Sequence, residues 1–165
     1  MVARGTRIRS ATRDDLVPLV RLLGVLFSIE SDFRPDPRRQ RRGLAQLLEE
    51  PERRAVLVAE RAGAVVGMVT VQLVVSTAEG GSSGWLEDLV VAEDARRDGV
   101  GRGLLLAAER WARARGATRL QLLADSANAP ALGFYARMEW AGTKLVCLRR
   151  GGELGRRRAA GGRVA

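Results

Sequence analysis

Apolar residues at Leu16, Leu19, Val20, Leu23, Leu26 and Phe27 recur at helical spacing and predict an amphipathic first helix. A short strand at 6–9 precedes it. Thr12 followed three residues later by Asp15 reads as a cap, and Pro18 suits the first turn of a helix that begins a few residues further on. A polar loop at 28–37 leads to a second helix at 38–48, stopped by Pro51. The valine-rich stretches 55–60 and 65–76 flank Arg61-Ala62-Gly63-Ala64, the pattern of a hairpin. A flexible loop at 78–84 precedes a strand at 85–91, then a helix at 101–115, with Gly116 at its C-terminus, and a strand at 119–124. These form a β-loop-α-β unit, for which a parallel crossover is expected. A short helix at 130–137 and a strand at 143–149 complete the order β-α-α-β-β-β-α-β-α-β, with no internal repeat.

Composition narrows the chemistry. With 165 residues and 46% apolar content, one domain over 1–150 is expected. No window approaches the roughly 20 apolar residues of a membrane span, and no signal-like segment opens the chain, so no membrane partner is expected. Cys147 is the single cysteine and there is no histidine, which excludes an internal disulfide, a Cys/His metal cluster and every histidine-based triad. A reducing, cytoplasmic setting fits. Cys147 itself is expected to be a small core residue of the last strand.

The net charge of +9 raises a nucleic-acid reading, so its location matters. Six arginines against Glu153 lie between Arg149 and Ala165, leaving a minority of the excess for the rest of the chain. Residues 151–165 carry few bulky apolar side chains and are expected to be a disordered tail. With aromatics at only 4% and no basic-aromatic alternation, stacking platforms are lacking and nucleic acid is not the expected partner.

Between the strand ending at Val91 and the helix near Gly101 lies Arg96-Arg97-Asp98-Gly99-Val100-Gly101. Glycines allow close backbone approach, and the free N–H groups opening a helix favour a phosphate or pyrophosphate. Arg102 adds counter-charge. The P-loop is excluded because Gly101 is followed by Arg102-Gly103, and the Rossmann spacing fails because position 104 is Leu. The pattern that remains is Gln/Arg-x-x-Gly-x-Gly/Ala. In this loop, and in the later Asn128-Ala-Pro-Ala-Leu-Gly-Phe-Tyr135, the chain resembles the GNAT superfamily of acetyl-CoA-dependent N-acetyltransferases.

The resemblance implies an α/β (α+β) fold with a mixed, mostly antiparallel central sheet and helices on both faces. It also implies acetyl-CoA as acyl donor, no metal, and a primary amine of a small molecule or protein as acceptor. Leu89, Val90 and Val91 would then offer backbone groups to the pantetheine arm, Arg96, Arg97, Asp98, Gly99, Val100, Gly101 and Arg102 would surround the pyrophosphate, and Asn128 would hold the thioester region. Tyr135 would protonate the leaving thiolate. Asp98 beside the anion site, and Glu139-Trp140 where the family often has Gly-Phe, depart from the pattern.

Glu87 and Asp88 interrupt an apolar strand, whose alternation lets only one face the cleft. Glu87 is taken as the base, by analogy with family members, and Asp88 as an acceptor contact. Glu30, Asp32 and Phe33, between the first two helices, are expected on the acceptor side, with the segment 76–79 at the same mouth. The rival readings are a non-catalytic CoA-binding member of the fold and a basic nucleic-acid module. The sequence leaves a monomer and a homodimer equally open.

Overall fold

The continuous valine-rich stretches are buried on both sides and form the centre of a five-stranded sheet in the order β1-β2-β3-β4-β5. The computed structural model describes residues 5–29 and 33–150, so Glu30, Asp32 and the segment 151–165 lie outside the described residues. The strands are β1 (Thr6–Ser10), β2 (Arg54–Arg61), β3 (Ala64–Ser76), β4 (Gly81–Val91) and β5 (Arg119–Leu122). The first four pair antiparallel and β4 pairs parallel with β5. Positive φ at Ala62 and Gly63 makes the tight turn between β2 and β3.

The helices are α1 (Leu16–Ile29), α2 (Pro37–Leu47), α3 (Val100–Arg113) and α4 (Ala129–Arg137). On one face Leu16, Leu19, Leu23 and Leu44 of α1 and α2 pack on Val56, Val58, Met68 and Val90. On the other, Val100, Leu104, Leu105, Ala108 and Ala112 of α3 cover Leu57, Ala59, Val69, Val71 and Leu86. The mixed, mostly antiparallel sheet with helices on both faces is therefore as expected. Packing leaves no room for a side chain at Gly84, against Leu120, and is tight at Gly67, where a Cβ would lie 3.0 Å from the Val90 carbonyl oxygen and 3.1 Å from Leu104.

Three expectations are corrected. The loop placed at 78–84 is shorter, because Ser76 pairs with Gly81 and the β3–β4 connection turns through Gly80 at φ 64°. The strand at 119–124 stops at Leu122. The final strand at 143–149 is not formed among the described residues, and Cys147 is exposed rather than in the core. Met138 and Trp140 pack on the α3 face of the core, but Leu145 and Leu148 beyond them are 87% and 90% exposed. Alternating apolar residues specify a strand only where a ladder partner is available.

The start of α1 is held by Asp15. Its carboxylate accepts from Arg9 Nη1 at 2.7 Å, Arg9 Nη2 at 2.9 Å and the Thr12 N–H at 2.7 Å, while Arg9 Nε donates to Glu60 at 2.6 Å. The Arg9 guanidinium is the main cause of a carboxyl pKa below the usual aspartate value. A depressed folded pKa contributes stability above the unfolded value, and that contribution disappears as pH falls through the folded one. Asp15→Asn should therefore cost about 1–3 kcal/mol in urea melts at pH 7. The gap to the parent protein should close as the pH is taken below the ordinary aspartate range of about 4.

Candidate functional site

The parallel ladder between β4 and β5 runs from Ser83↔Arg119 to Leu86↔Leu122 and then ends. Beyond it β4 continues through Val91, so its residues 87–91 have no β5 residue beside them. At the same point β4 bulges against β3, where Met68 pairs with Val90 but Thr70 pairs with Glu87. Asp88 takes a left-handed φ of 54° in the bulge.

This bulge corrects the expectation of strict alternation. Leu86 and Leu89, three apart, both pack toward α3, whereas Val90 packs toward α1 and α2. Residues 87 and 88 occupy the extra step between. Glu87 is exposed, while Asp88 is half-buried and accepts a hydrogen bond at 3.3 Å from the hydroxyl of the buried Thr70. Of the two strand acids, Asp88 borders the cavity on the α1–α2 side, together with Asp36 of the α2 cap, and Glu87 is not among the residues lining it.

The glycine-rich loop leads into α3. Arg97 has φ 66° and Gly99, the residue before the helix, has φ 76°. No side chain caps this end, so the N–H groups of the first turn remain available to an external anion. Arg96, Arg97 and Arg102 are exposed around it, and Arg96 Nε donates to the Val91 carbonyl at 3.1 Å. Asp98, the unfavourable charge, forms an ion pair with Arg61 at 3.0 Å. Arg61 also donates to Thr6 Oγ1 at 3.1 Å. No motif in the sequence pointed to Arg61, because it reaches the loop from β2, 37 residues away. The loop thus fits a pyrophosphate, with its acid already neutralised.

Asn128 caps α4, accepting from the Ala131 N–H at 3.1 Å. This is a structural use of a residue expected at the thioester. Tyr135, half-buried on α4, packs between Phe134 and Trp140, with centroid separations of 5.3 and 6.0 Å. Phe134 in turn lies over Gly101, about 3.7 Å from where a Cβ would stand, and so ties α4 to the opening turn of α3. Glu139 has φ 65°, which explains why a glycine suits that position and leaves the glutamate in an unfavourable conformation.

On the opposite face α1 and α2 border, with the sheet, an open cavity of about 700 Å³. Leu23, Phe27, Phe33, Leu44 and Leu47 supply apolar wall, and Gln40, Gln72 and Asp88 supply polar groups. Phe33 therefore lies on the wall where the acceptor was expected. Asp36 caps α2 through the N–H groups of Arg38 and Arg39, and the Arg39 N–H is the main cause of its lowered carboxyl pKa. The 76–79 segment lies elsewhere: Ser76 and Glu79 bind Arg119, and Glu79 also accepts from Thr118, at the opposite end of β5 from the split. Sequence reasoning also missed Gln40, although a polar residue four positions before Leu44 on a helix whose other buried position is Leu44 was a readable signal.

Fold and site together define an α/β protein whose sheet ends its pairing between two parallel strands, with an uncapped helix N-terminus on one side and an open cleft on the other. Residues 22–140 match the acetyltransferase (GNAT) family model, and the chain belongs to that family. No curated protein matches it in sequence. Among solved structures, the aminoglycoside acetyltransferase meta-AAC0020 from an uncultured soil metagenomic sample, in complex with sisomicin, is 22% identical, with TM-score 0.74 over 90% of this chain and 97% of that one. Glucosamine-6-phosphate N-acetyltransferase from Arabidopsis thaliana is 17% identical, with TM-score 0.71 over 88% and 97%. A transcriptional regulator from Bacillus halodurans C-125 is 23% identical, with TM-score 0.79 over 88% and 99%. Such likenesses carry the fold and leave the reaction partner open. Among the described residues there is no cluster able to hold a metal and no helix long and apolar enough to cross a membrane.

The Arg61–Asp98 pair makes the anion cradle testable on its own. Arg61→Leu should release the Asp98 charge and weaken binding of ADP, a pyrophosphate probe, several-fold by calorimetry at low salt. Adding Asp98→Asn to the same protein should restore the affinity.

Proposed function

We propose that the protein transfers an acetyl group from acetyl-CoA directly to a primary amine. The observation that carries this reading is the break in the β4–β5 ladder, with the uncapped α3 N-terminus on one side and the Asp88-bordered cavity on the other. In this reading the pyrophosphate lies on the loop 96–102 and the pantetheine arm runs beside Leu89 to Val91, on the edge of β4 that has no β5 neighbour. Acetyl-CoA supplies an activated thioester carbonyl.

The chain's own groups then have three tasks. The amine must be neutral and close to the carbonyl carbon. Asp88, held by Thr70, takes the proton released as the C–N bond forms, directly or through water. Tyr135 gives a proton to the thiolate as the C–S bond breaks, which balances the reaction and needs no covalent enzyme intermediate. Asn128, through the amide group its capping role leaves over, orients the thioester end. Histidine is not required. Glu87, exposed and off the cavity wall, is the comparison residue for the base.

Acetyl-CoA at 100 times its dissociation constant should stabilise the protein by about 2.7 kcal/mol, read as a rise in melting temperature. No shift at millimolar concentration would sink the proposal. Steady-state thiol release with a panel of amines then separates catalysis from mere CoA binding. Tyr135→Phe should lower kcat roughly 10²-fold or more, with acetyl-CoA affinity nearly unchanged. Asp88→Asn should lower kcat comparably and Glu87→Gln should not. The reverse order would make Glu87 the base.

A further inference from the structure

Gln40 sits on α2 with 7% of its surface exposed, and neither its side-chain oxygen nor its nitrogen has a hydrogen-bond partner among the described residues. A buried amide left in that state is unfavourable, and it is uncommon unless something outside the protein completes it. Gln40 also lines the 700 Å³ cavity that Asp88 borders. The charged groups on the same wall are mostly satisfied by neighbours. Arg39 is paired with Asp36 at 3.2 Å and Arg54 with Glu50 at 2.9 Å, while Arg34 is exposed at the rim.

We infer that Gln40 is a specificity residue that reads a primary carboxamide on the acceptor, and that the acceptor is an α-amino amide with an apolar side chain. A primary carboxamide presents one donor and one acceptor side by side, the complement of the donor and acceptor that Gln40 holds, whereas a trans peptide bond presents them on opposite edges and engages only one. A carboxylate satisfies only the Gln40 N–H, and a plain amine neither group. The apolar side chain is matched by Leu23, Phe27, Leu44 and Leu47, and the amine by Asp88. A cavity of this volume holds an amino-acid amide or the first residues of a peptide. This inference rests on the proposed acetyl transfer for its biological meaning, but the binding it describes does not require turnover.

The test measures the affinity of the CoA-loaded protein for four probes by calorimetry: L-leucinamide, L-leucine, isopentylamine and the dipeptide Leu-Ala amide. L-Leucinamide should bind roughly 10- to 100-fold more tightly than isopentylamine, and more tightly than L-leucine. Gln40→Leu, which replaces the amide with an apolar group of similar size, should erase that preference while leaving isopentylamine affinity unchanged or improved. Gln40→Glu, which keeps only acceptors, should weaken the amide without restoring the plain amine. Gly43→Leu, placed on the cavity wall where a Cβ meets nothing within 4 Å, should weaken every probe. Because its trans peptide bond engages only one Gln40 group, the dipeptide amide should bind more weakly than L-leucinamide, and tighter binding of the dipeptide amide overturns the carboxamide pairing. Equal affinity for amide and plain amine, tighter binding of L-leucine, or a uniform loss on Gln40→Leu overturns the inference. Thiol release from acetyl-CoA, followed in the same samples, is the separate readout of transfer. Amide preference without turnover would overturn transfer alone, and turnover without amide preference would overturn the Gln40 role alone.

Discussion

The arrangement of the site depends on one irregular step in β4. Where Asp88 adopts φ 54°, the strand takes up an extra residue against β3, and the parallel ladder to β5 ends after Leu86. A left-handed conformation costs a non-glycine residue about 1–3 kcal/mol, so something must over-determine it. Here the flanking residues do so. Leu86 is buried against α3, Val90 is buried against α1 and Met68, and Thr70 holds the Asp88 carboxylate. Sliding the strand to remove the bulge would move Val90 to the wrong face. Gly67 adds a constraint, since any side chain there would press on the Val90 carbonyl.

The same step explains which parts of the site could be read in the sequence. The anion loop was legible because its glycine spacing is tied to backbone conformations, and Gly99 does adopt the positive φ that such a loop needs. The helices were legible because each carries an apolar stripe on one sheet face. The bulge was not, because Asp88 and Leu89 carry neither glycine nor proline to mark a departure from period two. Period two lets one of Glu87 and Asp88 face the cleft without saying which, and only the family analogy points to Glu87. The strand expected at 143–149 failed for the opposite reason: its local pattern was suitable, but pairing depends on a partner that local pattern does not specify.

Charge shows the same distinction between local count and spatial use. An excess of arginine is diagnostic only for those residues that lack a structural task. Arg9 locks Asp15, Arg61 neutralises Asp98, Arg96 closes the end of β4, and Arg115 lies 4.4 Å from the centre of the Trp111 ring. Around the opening of α3, Arg97 and Arg102 remain exposed beside the uncapped helix end. The local field there favours an anion even though the loop contains an aspartate.

The two faces of the sheet divide the proposed reaction. Helix α3 and its loop lie on one face and would hold the donor, while α1 and α2 lie on the other and would hold the acceptor. A regular sheet would keep those ligands apart, since continuous ladders leave no passage between faces. The β4–β5 ladder ends at Leu86, and the bulge sets a carboxylate just beyond that end. Tyr135 reaches the region from α4, which Phe134 fastens to Gly101 at the start of α3. The proposed proton acceptor and proton donor thus stand on separate elements, β4 and α4. For the proposed reaction, this division suits transfer between two ligands bound at once better than a mechanism in which the protein carries the acyl group.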